Sequence, residues 1–381
     1  MRIYLDHNAT TPLRSEVIQA MTTFLEQDYG NPTSTHEEGA RARARVEHAR
    51  GQMARLLGAE ADDVIFTAGA SEANNTVLFS LLDPSRGGRG LVTSAVEHPS
   101  VLEPARQLEK AGLPVHWVPV DGGGRVDPAA VLEAAAEGAG LVSLIWANNE
   151  TGVVQPIEEI ARGLHEIGVP LHVDATQAVG KWPVDLATLP IAYLSCSAHK
   201  FNGPKGAGCL IARSPEPVRA LILGGPQERK QRGGTENGAG IVGLGLAGEI
   251  AANELPQRIE QYRALRDQLW EELQERIPEL SRNGAPEHVL PNTLNVEVTG
   301  APGEVMVQAL DLEGIAVSMG AACHSGSISP SHVLVAMGLS PEQTRSSLRL
   351  SVGQGLSPED ITRAADGIAE VADRARKAQT G

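Results

Sequence analysis

The sequence has little of what a membrane, secreted or metal-bound protein would need. Its longest apolar runs, such as Gly140 to Ala147, fall far short of a bilayer span, which takes about 20 residues. Met1 leads straight into an extended apolar stretch, Ile3 to Leu5, with no signal-peptide core, so the expected location is the cytoplasm. Only three cysteines occur, Cys196, Cys209 and Cys323, and they lack the spacing of a disulfide framework or a zinc site. A reducing compartment and no metal centre are expected. A formal net charge of −15 disfavours nonspecific attraction to nucleic acid or anionic membranes, while leaving room for a basic protein partner. Lysine is scarce as well, six residues against 26 arginines. Covalent cofactor chemistry requires an amine that can lose its proton, so each lysine is worth placing.

What is present is an ordinary globular composition, 41% hydrophobic over 381 residues, enough for about two domains. Extended and helical patterns alternate from about Ser15 to Leu255, with short apolar strands at Val64 to Phe66, Leu91 to Thr93, Leu141 to Ile145 and Leu171 to Val173. This alternation predicts an α/β domain with a mostly parallel sheet, whose ligands sit at the carboxyl ends of the strands. A long charged helix over Ala251 to Glu275 changes the rhythm. Strands at Thr293 to Val298 and Ile315 to Ser318 and a closing helix at Pro358 to Lys377 then predict a smaller α+β unit. The expected division is 15–255 for the large domain, and 1–14 with 256–381 for the small one. Internal repeats and low-complexity segments are absent.

Candidate chemistry gathers at strand ends. In Ser195 to Gly208, SCSAHKFNGPKGAG, a strand runs into a Gly-rich turn holding Lys200, with Ser197 and His199 as phosphate donors and Lys205 as a second lysine. In Val64 to Asn75, VIFTAGASEANN, a helix beginning near Ser71 would offer free N–H groups to an anion; the same stretch also reads as a well-capped helix with Ser71 as N-cap. In Leu171 to Gly180, LHVDATQAVG, Asp174 ends a buried strand, where it suits either a ring nitrogen or a structural cap. His98 in VEHPSV suits stacking or proton movement, and Asn148 and Asn149 end another strand. Cys196 and Cys209 read as buried small hydrophobes. Cys323 differs, because IAVSMGAACHSGSISP surrounds it with small, polar residues that suit a travelling thiolate.

These segments, together with YLDHNATTP at Tyr4 to Pro12, GNPTSTH at Gly30 to His36, NNETGVVQP, RGGTEN at Arg232 to Asn237 and SLRLSVG at Ser347 to Gly353, resemble the cysteine desulfurases. These belong to the class V aminotransferase group of fold-type-I pyridoxal-phosphate (PLP) enzymes. The resemblance implies Lys200 as the Schiff-base lysine, Asp174 as partner of the pyridinium nitrogen, Gln177 as donor to the phenolic oxygen, and His98 as the stacked ring and a catalytic residue. It further implies Ala70, Ser71, Ser197 and His199 around the phosphate, Thr235 reaching the same phosphate from a second subunit of a homodimer, and Arg349 with Asn149 on the substrate carboxylate. Cys323 would take the sulfur of L-cysteine as a persulfide, leaving alanine, and hand it to an iron–sulfur scaffold protein or another sulfur acceptor. Departures are small: Ser71 replaces a common threonine and Pro226 a common glycine. His324 after Cys323 makes the stretch similar to the selenocysteine lyases too. That branch, another PLP enzyme of this fold and a non-catalytic scaffold relative are the alternatives.

Overall fold

The computed structural model describes residues 2–214, 218–319 and 330–380. The chain opens with β1 (Ile3–Tyr4), α1 (Ser15–Gln27) and α2 (Glu37–Leu57), then alternates through β2 (Val64–Thr67), α3 (Ala70–Leu81), β3 (Gly90–Ser94), α4 (Pro99–Lys110), β4 (Val115–Val118), α5 (Pro128–Ala136), β5 (Ala139–Ile145), α6 (Ile157–Glu166) and β6 (Leu171–Asp174). β7 (Tyr193–Ser197) and β8 (Gly208–Ala212) follow, and α7 (Gly238–Arg276) leads to the last third: β9 (Leu280–Arg282), β10 (Thr293–Val298), α8 (Gly303–Leu312), β11 (Ile315–Ala316), α9 (His332–Ala336), α10 (Pro341–Arg345), β12 (Ser347–Ser351) and α11 (Pro358–Thr380).

Seven strands form one sheet in the order β2-β8-β7-β6-β5-β3-β4, and only β8 runs against its neighbours. The mostly parallel sheet expected from the alternating pattern is found. Helices cover both faces, which is why β2, β6 and β7 are buried at every position, polar residues included. The chief core packs around this sheet. A second core draws Ile3 and Leu5 together with Leu265, Leu269, Val296, Leu348 and Ile368, so the first few residues pack with the last third of the chain. No described helix is long and apolar enough to cross a membrane.

Two element readings differ from the sequence expectation. The long helix begins at Gly238, thirteen residues before Ala251; its first turns show no amphipathic stripe, because the half-buried Val242 and Leu246 are as apolar as the buried positions beside them. Their glycines allow close helix contact: a Cβ at Gly245 would lie 2.6 Å from the Cβ of Ala49, and one at Gly248 2.8 Å from the sulfur of Met53. The second difference is at the start of α3, where Gly69 and not Ser71 is the N-cap, with φ of 153°. Gly69 lies directly on Gly208 of β8, whose absent Cβ would fall 2.6 Å from the Gly69 Cα. Two glycines thus seat the helix N-terminus on the sheet edge.

The approach to Thr235 is held by a buried ion pair. Arg50 of α2 donates to both carboxylate oxygens of Glu228 at 2.9 Å, and the Phe66 N–H donates to Glu228 at 2.9 Å. Glu228, Arg229 and Lys230 all have positive φ, 44°, 54° and 67°, an arrangement that costs free energy and persists only where surrounding contacts enforce it. Glu228→Ala would leave the Arg50 guanidinium buried without its main partner. We expect a loss of about 3–5 kcal/mol in urea unfolding. Glu47→Ala, which removes the exposed partner of Arg50, should cost less than about 1 kcal/mol in the same measurement.

Candidate active site

The parallel strands β2, β3, β5, β6 and β7 all deliver their carboxyl ends to one edge of the sheet, and a cleft of about 890 Å³ opens there. Ten of the residues singled out in the sequence line it: Ala70 and Ser71 from the first turn of α3, His98 at the N-cap of α4, Asn149 beyond β5, Asp174 and Gln177 at and after the end of β6, Ser197 at the end of β7, His199 and Lys200 in the turn that follows, and Arg349 from β12. Thr235 does not join them; it is exposed and outside the cleft lining. Cys323 and His324 lie outside the described residues.

Lys200 Nζ donates to the backbone carbonyls of Asn8 at 2.6 Å and Ala9 at 2.8 Å. Removal from water and the nearby Arg349 charge lower its pKa to about 8, although Asp6 and Asp174 act the other way. A lysine amine that sheds its proton near neutrality is fit for nucleophilic attack and for proton transfer. Lys205 also borders the cleft but stands exposed. The first N–H groups of α3 carry a helix's free donors and positive end, and Ser71, Ser197 and His199 stand around the same corner. Burial and the charges of Lys200, Lys205 and Lys181 push His199 down to about 4, so it is neutral. Its Nδ1 lies 3.2 Å from Thr10 Oγ1; with the hydroxyl donating, Nε2 keeps a proton for an anion.

Across the cleft Asp174 accepts from Asn74 Nδ2 at 2.7 Å and from the Thr176 N–H at 3.0 Å, so both its oxygens are held as carboxylate acceptors. Gln177 donates from Nε2 to the Asn8 carbonyl at 2.9 Å, while its Oε1 accepts from Lys181 at 2.5 Å. That pair of contacts fixes which way the amide points. Lys181 is wholly enclosed, and burial together with the charges of Lys200 and Arg349 holds its pKa well below the usual lysine value. His98 is also lowered, first by burial, and its Nδ1 accepts from the Ser100 N–H at 3.1 Å.

Sequence reasoning placed no role on the N-terminal segment, yet Asp6, Asn8 and Ala9 line the cleft. Asp6 pairs with Arg349 at 2.7 Å, and Arg349 also donates to the Asn149 carbonyl at 3.0 Å. The signal was available in YLDHNATTP, whose polar residues interrupt a run that enters a core. Two further links were illegible. Arg232 of RGGTEN bonds Glu72 in the first turn of α3 at 3.0 Å, tying the Thr235 segment to the corner of its own cleft. Glu97, beside His98, is fully buried, and burial pushes its carboxyl up to about 8. Cys196 and Cys209 face each other from β7 and β8 with sulfurs 3.3 Å apart, both buried free thiols.

Comparison with known proteins places this geometry. A family profile described as Aminotransferase class-V matches residues 3–363. The chain is 42% identical over 378 residues to a cysteine desulfurase IscS of Dictyoglomus turgidum, covering 98% of this chain and 95% of that one. It is 45% identical over 379 residues to a cysteine desulfurase of Cereibacter sphaeroides, covering 98% and 97%. Among solved structures, a NifS-like protein superposes with a TM-score of 0.92 at 35% identity, covering 98% of this chain and all of that one. A structure described as SspA in complex with cysteine gives 0.82 at 33% identity, with 92% and 99% covered. A match running nearly end to end in both sequence and fold means that the chain belongs to the class V aminotransferase family.

Proposed function

We propose that the chain is a PLP-dependent cysteine desulfurase that releases alanine from L-cysteine and carries the sulfur on Cys323. The observation that carries the reading is the Lys200 amine, desolvated and depressed to about 8, set between the anion corner at α3 and the carboxylate of Asp174 in one cleft. The residues present fit PLP. The α3 N-terminus with Ala70, Ser71, Ser197 and His199 would hold the phosphate, Asp174 the pyridinium nitrogen and Gln177 the phenolic oxygen, with His98 against the ring. When bound, that group supplies an electron sink for bond breaking at the substrate's α-carbon.

The chain's own residues divide the remaining work. Arg349, with an Nε that has no partner among the described residues, and Asn149 hold the substrate carboxylate. Lys200 moves the α-proton. His98 serves as a ring contact and an N–H donor rather than as the base, because its Nδ1 lone pair is engaged by Ser100. The Cys323 thiolate then forms an S–S bond to the substrate sulfur as the carbon–sulfur bond breaks; the electron pair stays on carbon, which takes up a proton and becomes the methyl of alanine. Ser318 and Met319 line the cleft, and Cys323 is four residues beyond Met319, at most about 14 Å of extended chain. A protein that accepts sulfur, such as an iron–sulfur scaffold, would take the persulfide onward in the cytoplasm.

The working form in this reading is a homodimer. Thr235 is exposed away from its own cleft, and the same segment presents Leu221, Ile222 and Leu223 to solvent, the last at 85% exposure. A second copy would cover those side chains and bring its cleft corner to Thr235. The two buried cores support residues 15–255 and the pair 1–14 with 256–381 as the two domains, joined through α7.

Purified protein given PLP, cysteine and an excess of dithiol, which supplies the two electrons that free the persulfide sulfur, should yield alanine and sulfide in equal amounts. Lys200→Ala should abolish turnover and the borohydride-fixed cofactor label. Cys323→Ser should keep cofactor binding and lose the persulfide; undiminished alanine release by that variant would overturn the mechanism. Leu223→Asp should shift the sedimentation mass from dimer toward monomer. The pH at which apo-protein takes up PLP half-maximally should lie near 8, since only the neutral amine adds to an aldehyde. Asp6→Asn removes a charge that raises the Lys200 pKa and should lower that midpoint, whereas Arg349→Met should raise it.

A further inference from the structure

Asn74 is a fully buried amide in the second turn of α3, outside the cleft lining. Its Nδ2 donates to Asp174 Oδ2 at 2.7 Å and to Ser100 Oγ at 2.9 Å. Ser100 Oγ in turn lies 2.8 Å from His98 Nδ1. The proton directions in this chain are forced. An amide nitrogen only donates, so Ser100 Oγ accepts from Asn74; because Nδ1 already accepts the Ser100 N–H, the hydrogen between Oγ and Nδ1 comes from the hydroxyl. The Ser100 N–H donates to that same nitrogen at 3.1 Å. His98 Nδ1 is therefore an acceptor, and the neutral imidazole carries its hydrogen on Nε2. Ser100 is itself held, because Asn75 Nδ2 donates to its carbonyl at 3.1 Å.

We infer that Asn74, acting through Ser100, is the positioning residue that fixes His98 and Asp174 relative to each other from a single anchor. This rests on the reading that those two residues hold the cofactor ring. A purely packing role would not select an amide here. The Asn74 Oδ1 is buried with no partner among the described residues, an arrangement that costs about 1–3 kcal/mol and that leucine would avoid. What the amide alone can do is donate twice, to a carboxylate and to a hydroxyl that in turn donates to His98 Nδ1. Helix α3 thus governs the site at both ends of its first two turns, with N–H groups at the anion corner and Asn74 at the ring.

The test begins with cofactor-free protein, followed by nitrogen-resolved NMR of the His98 ring through a pH titration. The charged and titratable groups facing His98 are Asp174, Lys200 and His332, and none is altered by the variants. Ser100→Ala removes the hydroxyl donor with no loss of packing volume beyond one oxygen. Because a donor to Nδ1 favours the neutral ring, the His98 pKa should rise, and Asn74→Leu should raise it as well. Both variants should bind PLP about tenfold more weakly, with a changed pH response of the bound cofactor's visible absorbance. Asn74→Asp, which places a second carboxylate against Asp174, should weaken binding further than Asn74→Leu. An unchanged His98 pKa in Ser100→Ala and Asn74→Leu would overturn the bridge, even if both variants were less stable to urea; the tautomer should stay the same, since the N–H of residue 100 still donates to Nδ1. Failure of the wild-type chain to bind PLP would instead overturn the functional reading, while the NMR titration would still decide whether the bridge exists.

Discussion

The contact on which the rest of the site depends is that of the Lys200 amine with the carbonyls of Asn8 and Ala9. These come from opposite parts of the chain, one at the end of β7 and the other beside the short strand that opens the second core. The N-terminal segment is fastened on its far side: the Asn8 N–H donates to Ser351 Oγ at 2.9 Å, and Asn8 Nδ2 to Thr293 Oγ1 at 2.9 Å. The lysine consequently sits where the sheet's edge and the last third of the chain meet. Small movement of one core against the other would alter the hydration of its amine, and hydration is the first cause of its lowered pKa.

Charge balance explains why such an amine is left partly uncompensated. Lys181, Lys200 and Arg349 bring three cationic groups to this region, while Asp6 and Asp174 are the carboxylates that act on Lys200. Asp6 is engaged by Arg349, and Asp174 by neutral donors. Lys181 makes its one described hydrogen bond to an amide oxygen rather than to a carboxylate. A phosphate at the α3 corner and a substrate carboxylate at Arg349 would each meet donors and positive charge here, as burial of an anionic group requires.

How much of this was legible in the sequence follows the kind of information involved. The strands and the turns after them could be read because buried parallel strands are short apolar runs, and the chemistry stands directly behind them: Asp174 after LHV, Lys200 after LSCS, His98 after VTSAVE. The first turns of α7 could not be read, because their half-buried positions, Val242 and Leu246, are apolar too and leave no polar face to give a period. The roles of Asp6 and Asn8 were hidden for another reason. Their partners, Arg349 and Thr293, lie 343 and 285 residues away in sequence, and local pattern carries no signal at that separation. Asn74 sat in a segment already singled out, TAGASEANN, but helix propensity treats it as a mildly poor residue and nothing more.

Unpaired buried atoms show where the fold concedes stability to the site. Those of Asn74, Glu97, Thr176 and Arg349 have no partner among the described residues, and all four belong to the cleft wall or stand directly behind it. Each such atom costs about 1–3 kcal/mol where it stays unmet. Others lie elsewhere, at Arg125, Glu272 and Arg282 among them, so it is the position of these four at the carboxyl edge of the sheet, and not their being unpaired, that ties them to the site. Ligands that meet them stabilise the native state in proportion to their affinity. The tight cores on either side make this tolerable, since a well-packed sheet and a second apolar cluster can carry a polar seam between them. The same seam that weakens the empty chain is what makes the Lys200 amine, the Asp174 carboxylate and the His98 ring point at one place.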